Sequence, residues 1–187
     1  MALSTLDPRT ALIVIDMQHG IVSLPCAHPM DTVIGHVAEL VQAFRQKHCP
    51  VVLVNVTGGA PGRNEQPPRS GSMPDDWAEL IPQLDQQASD HTVSKRTWGA
   101  FMHTDLHDYL QQQGVTQVVI AGVATSIGVE STARQAYELG YNVSLVTDAM
   151  TDLNRDAHEN SVARVFPRLG EGGSTRDMID LLGRTHG

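Results

Sequence analysis

The order of apolar runs along this chain predicts an α/β fold: three layers, α/β/α, around a doubly wound, mostly parallel six-stranded sheet of order 3-2-1-4-5-6. Two observations carry that expectation. Residues 11–15, 51–54 and 118–120 are continuous apolar runs rather than alternating ones, as strands covered by helices on both faces require. Between the runs lie segments whose apolar residues recur every three or four positions, and strand alternating with helix implies parallel strands joined by right-handed crossovers. In that strand order the first and fourth major strands lie side by side at the topological switch point, where α/β sheets bind ligands.

The first run ends in Asp16. An acid closing a buried strand is costly unless it is hydrogen-bonded or used, which makes Asp16 a candidate proton-transfer group; the plainer alternative is a cap on the following loop. A helix is expected from Asp31, with Val33, Val37, Leu40, Val41 and Phe44 on one face. The second strand, 51–56, follows Cys49 and Pro50, which places that cysteine at the amino end of the sheet, away from any site. From Thr57 to Asp90 the pairs Gly58-Gly59, Pro61-Gly62, Pro67-Pro68 and the run Ser70-Gly71-Ser72 break regular structure, leaving a short helix around 77–81. Long loops at the carboxyl end of a sheet commonly bind or cover ligands. Arg63 and Arg69 within this one suit a carboxylate, although such arginines are more often simply solvated.

Residues 92–96 read as a short strand, followed by Trp98 and Phe101, notable in a chain with 4% aromatic residues. Thr104 suits the cap of a helix that stops at Gly114. After strand 118–120 the sequence Ala121-Gly122-Val123-Ala124-Thr125-Ser126-Ile127-Gly128 turns into a helix over 127–139, ended by Gly140. The first turn of such a helix offers free N–H groups past the end of the sheet, and its small residues let a ligand approach the backbone. A further strand over 141–147, a helix over 152–164 with a solvated or capping His158, a weak strand at 172–174 and a helix over 176–182 complete the chain.

Composition narrows the partners. With 13 Lys and Arg against 21 Asp and Glu, the net charge of −8 argues against nucleic acid or an anionic membrane and for a small molecule. A length of 187 residues suits a single domain over 1–187. Cys26 and Cys49 have no metal-ligand spacing and suggest no disulfide framework, consistent with the cytoplasm. No apolar run approaches the roughly 18 residues of a membrane span, and the amino terminus lacks signal-peptide order.

The segment 122–134, Gly-Val-Ala-Thr-Ser-Ile-Gly-Val-Glu-Ser-Thr-Ala-Arg, resembles the signature of the isochorismatase-like cysteine hydrolases, and the likeness extends from Ala11 to Leu182. The resemblance implies that Gly128 stands at the position of the nucleophilic cysteine. True isochorismatases are similar in carrying glycine there, but with a tyrosine and a histidine where this chain has Ala124 and Ser126. It further implies that Asp16 and Lys95 complete the catalytic set, that the Val123-Ala124 peptide is cis, and that the protein is a homo-oligomer. Taken without the family, Lys95 is an ordinary surface lysine and Gly128 relieves packing in a buried helix. Gln18, Trp98, Ala124, Thr125 and Ile127 are expected to line the substrate site. The Asp-x-His metal pattern of nicotinamidase-type members is replaced by Asn55-Val56-Thr57-Gly58, so neither a metal nor another cofactor is expected.

Three activities follow: acid-base hydrolysis of a small, carboxylated metabolite without a cysteine, amide or C–N hydrolysis with another nucleophile, or binding on a disabled scaffold. Lys95 creates a tension for the first. A nearby cation lowers the Asp16 pKa while burial raises it, and general-acid work near neutrality requires that burial prevail.

Overall fold

A computed structural model describes residues 3–65 and 73–186. Arg69, Pro67-Pro68 and Ser70-Gly71-Ser72 lie outside the described residues. Six strands, β1 (Thr10–Ile15), β2 (Val51–Val56), β3 (His91–Lys95), β4 (Gln117–Val123), β5 (Asn142–Thr151) and β6 (Glu171–Gly173), form one sheet in the order β3-β2-β1-β4-β5-β6. Every pairing is parallel. The expected strand order is therefore the observed one.

Alternation along β1 divides the core into two layers. Leu12 and Val14 pack with Val33, Val37, Leu40 and Phe44 of helix α2 (Met30–Gln46) and with Met178 and Leu182 of α6 (Thr175–Thr185). Ala11, Ile13 and Ile15 face Leu106 and Leu110 of α3 (Leu106–Gln112) and Ala133 and Ala136 of α4 (Glu130–Glu138). Both sets are buried, which is why neither run could alternate with polar residues. Two shorter helices, α1 (His19–Val22) and α5 (Arg155–Asn160), lie at the carboxyl end of the sheet, after β1 and β5. Among the described residues no helix is long and apolar enough to cross a membrane.

Several elements differ from their sequence-based form. The helix expected over 127–139 begins as a π-helical turn, Thr125–Val129, before α4 takes regular form. The helix expected over 152–164 is α5 followed by a second π-helical turn, Ser161–Val165; Asn154 caps it by accepting the Ala157 N–H at 3.0 Å. β5 runs on to Thr151 instead of closing at 147, helped by a register shift against β4 between Ile120 and Gly122. No helix forms at 77–81: Leu80 bridges Gln18 instead, and a single 3₁₀ turn occupies Pro82–Leu84. Asp105 takes the cap position of α3 without a side-chain bond, while the Thr104 hydroxyl, which donates to the Ala100 carbonyl at 2.6 Å, accepts the Leu106 N–H at 3.4 Å. α6 starts one residue early, on a reciprocal cap between Ser174 and Asp177.

Candidate active site

Asp16 directly follows β1 with a left-handed φ of 52°, a region that non-glycine residues rarely occupy. Its backbone is fixed on both sides: its N–H donates to the Val54 carbonyl and its carbonyl accepts the Gln18 N–H, each at 2.9 Å. The turn breaks the alternation of the strand and aims the carboxylate across the end of the sheet. There Lys95 Nζ donates to Asp16 Oδ2 at 2.7 Å and to the Thr97 carbonyl at 3.2 Å. β3 and β1 are separated by β2, about 10 Å between outer strands, so the contact requires a side chain as long as lysine. Lys95 is buried, not a surface lysine.

Asp16 Oδ1 is buried and has no hydrogen-bond partner. Burial raises the Asp16 pKa from 3.8 to about 6, against the charge and hydrogen bond of Lys95, both of which lower it. The tension foreseen between the two effects is thus resolved in favour of burial. A carboxyl of this pKa exchanges a proton near neutrality in either direction.

Gly128 comes to the same place. A Cβ built on it would lie 3.2 Å from Asp16 Oδ2 and 2.9 Å from Ile15 Cγ2. Any side chain at 128 would therefore point at the carboxylate, and Ile15 would have to shift to admit it. What brings β4 this close is Gly122, paired with Ile15. With φ of 117° and a hypothetical Cβ only 2.1 Å from the Ile15 carbonyl oxygen, position 122 excludes every side chain. A glycine inside a buried strand marks such a close approach. The Val123-Ala124 peptide is cis, as the resemblance implies.

The remaining site candidates are placed unevenly. Ala124 and Thr125 are buried in the turn, and Ile127 is half-buried against the α2 side of the core. The N–H groups of Ile127 and Val129 both donate to the Ala124 carbonyl at 3.1 Å, and that of Ser126 donates to Asp152. These three are consumed within the protein, so the turn offers fewer free donors than a bare helix terminus would. Gln18 is also engaged: its amide oxygen accepts the Val56 N–H at 2.7 Å, and its nitrogen donates to the Val56 and Trp77 carbonyls. It holds the long loop to the sheet, with both amide hydrogens used and one lone pair of Oε1 left over. Gly20 assists, since a Cβ there would overlap the Trp77 ring. Trp98 stands 68% exposed. Arg63 is likewise exposed.

Two functional candidates escaped the sequence reading. Asp152, buried just past β5, accepts from the Ser126 N–H and hydroxyl at 2.7 and 2.8 Å. Its signal was available, because it closes a buried strand as Asp16 does. His158 is buried, not solvated, with Nδ1 2.8 Å from Thr125 Oγ1, and nothing in the local sequence distinguishes it from an exposed helical histidine. Cys26 and Cys49 are both free, and burial raises both thiols, with the Asp152 charge raising Cys26 further. Cys49 is near His186 and Lys47 at the opposite end of the sheet. Among the described residues no three His, Cys, Asp or Glu side chains converge to hold a metal ion.

With this geometry in place, comparison with known proteins is informative. The family profile described as the Isochorismatase domain matches residues 10–177. An uncharacterized isochorismatase family protein of Bacillus subtilis, YwoC, is 40% identical over 182 residues, which cover 92% of this chain and 93% of that protein. Nicotinamidase 3 of Arabidopsis thaliana is 30% identical over 170 residues, 82% of this chain and 80% of its own. The solved structure of an isochorismatase family protein from Burkholderia thailandensis superposes with a TM-score of 0.91 at 38% identity, covering 96% of this chain and 98% of the other.

Proposed function

This chain belongs to the isochorismatase family of hydrolases, and from that premise we propose that it hydrolyses a small, carboxylated metabolite by acid-base chemistry, without a cysteine nucleophile. The observation that carries the reading is the Asp16 carboxyl: one oxygen held by Lys95, the other buried and unpartnered, with a pKa of about 6. Such a group donates its proton from the free oxygen, and the carboxylate left behind is stabilised by the lysine charge at 2.7 Å.

For a vinyl ether, the substrate type of the isochorismatases that share a glycine at this position, the steps balance as follows. Asp16 protonates the terminal carbon of the double bond, the resulting oxocarbenium ion takes water at the oxygen-bearing carbon, and the added water's proton returns to Asp16. The hemiketal then collapses to a ketone and an alcohol. Water adds on the Gly128 side of the carboxyl, where Ile15 Cγ2, 2.9 Å from the Cβ position of residue 128, has to give way to admit it.

Amide hydrolysis by another nucleophile finds less support. Thr125 Oγ1 pairs with His158, but the residue is completely buried, and the Cys26 thiol is pushed away from its reactive form by burial and by Asp152. The test is a substrate screen spanning vinyl ethers, amides and N-carbamoyl compounds, run on the parent, Asp16→Asn and Gly128→Cys. Vinyl-ether turnover lost by 100-fold or so in Asp16→Asn is the expected result; turnover within a few-fold of the parent removes Asp16 from the mechanism.

The proposal includes self-association, with a small molecule as the other partner and no role for nucleic acid or membrane. Tyr137 and Leu139, large and exposed at the end of α4, suit a contact between copies. A monomeric mass by light scattering at micromolar concentration would count against it.

A further inference from the structure

We propose that Asp152 and His158 are positioning residues for the acid-base site, gripping the Thr125–Val129 turn from behind and so fixing Gly128 against Asp16. The inference rests on the reading of Asp16 as the proton-transfer group. Two consecutive residues of the turn are held by side chains from one short stretch after β5. Asp152 Oδ2 takes both the N–H and the hydroxyl of Ser126, while Oδ1 accepts the Asn154 N–H at 3.1 Å. Thr125, the preceding residue, has its hydroxyl 2.8 Å from His158 Nδ1.

The grip is built from groups that are expensive to bury. Asp152 is 2% exposed, and no salt bridge joins it to a cation among the described residues. A buried acid side chain in that position depends on its hydrogen bonds, here to the Ser126 N–H and hydroxyl and the Asn154 N–H. His158 lies edge-on to His28, ring centroids 4.6 Å apart, and His28 Nδ1 in turn meets the Thr151 hydroxyl at 3.0 Å. Burial and the neighbouring His28 hold the His158 imidazole below its ordinary pKa, so the neutral ring stays in place at neutral pH.

Both held residues precede Gly128 by two or three positions, inside a single π-helical turn. A displacement of Ser126 is transmitted to Gly128 through two peptide units with little slack. On the opposite side of that turn is the 3.2 Å approach between the Cβ position of residue 128 and Asp16 Oδ2. Asp16 is buried because the turn lies over it; loosening the turn admits water and relaxes the burial that sets its protonation. Lys95 is the charged group facing Asp16, and neither Asp152 nor His158 touches it.

The experiment follows the Asp16 carboxyl carbon by NMR in aspartate-labelled protein across pH, in the parent, Asp152→Ala, Asp152→Asn and Thr125→Val, with a thermal melt of each. The expected result is a midpoint lowered by about half a unit or more in Asp152→Ala and Thr125→Val, and lowered less in Asp152→Asn, whose amide oxygen still accepts from Ser126 while its NH2 cannot accept the Asn154 N–H. Folded variants with lower melting temperatures but an unchanged Asp16 midpoint would overturn the proposal, leaving the two residues a purely structural role. If Asp152→Ala fails to fold, Thr125→Val, which removes one hydroxyl at constant shape, decides alone. No substrate is needed, so failure here leaves the hydrolase reading standing, and a failed substrate screen does not alter this outcome.

Discussion

Lys95 Nζ meets Asp16 Oδ2 at 2.7 Å, reaching over β2 from the edge strand β3, while the other oxygen of that carboxylate is left without a partner. The lysine thus anchors the carboxyl by one end, and the proposed acid-base role falls to the other. Both side chains are buried, and the Asp16 pKa is set by two opposing effects, desolvation by burial and attraction to Lys95, of which burial is the larger.

Removing the lysine tests that balance. Both effects of Lys95 on Asp16 lower its pKa, so in Lys95→Met the carboxyl midpoint rises above the parent value of about 6. Carbon-detected titration of Asp16 checks the direction. A midpoint falling toward 3.8 in the variant would show that burial does not control this group.

Asp16 also makes stability depend on pH. Its folded pKa lies above its unfolded one, so its contribution is fully present below pH 3.8 and is lost as pH rises through about 6. The difference corresponds to about 3 kcal/mol. Urea unfolding of Asp16→Asn and parent at pH 4 and pH 7 is expected to show the variant gaining on the parent by a comparable amount between the two conditions, whatever their offset at pH 4. A pH-independent difference would contradict the raised pKa.

Gly122 is the residue that lets β4 close on β1. Gly122→Ala forces a methyl to within about 2 Å of the Ile15 carbonyl at a φ that alanine disfavours. The expected loss is at least about 3 kcal/mol, read as a large fall in melting temperature or as insoluble protein. Gly140→Ala is the control: it also has positive φ, but nothing lies within 4 Å of the added carbon, and it is expected to lose only about 1 kcal/mol.

The thiol on the same side of the sheet as Asp16 is expected to be a bystander. With its pKa raised by burial and by Asp152, Cys26 alkylates slowly at neutral pH, Cys26→Ser retains turnover, and iodoacetamide does not inactivate. Inactivation that substrate prevents would instead place a thiol in the mechanism.

What the sequence determined by itself is the part written in neighbouring residues. Uninterrupted apolar runs specified buried parallel strands, and their alternation with helical spacing specified the layers. An acid at the end of β1 and a run of small residues after β4 marked which end of the sheet carries the chemistry. Tertiary structure decided the rest, because Asp16, Lys95 and Gly128 are far apart in sequence and meet only through strand order. That order let Lys95 span two strands and buried Asp16 deeply enough for desolvation to outweigh the lysine charge. Gln18 was committed to the backbone of Val56 and Trp77, and Trp98 remained in solvent. His158 was drawn from an otherwise ordinary helix onto Thr125 by the packing of α5 behind the turn. Each of these outcomes depends on which surfaces lie opposite one another after folding, and residue spacing carries no record of that.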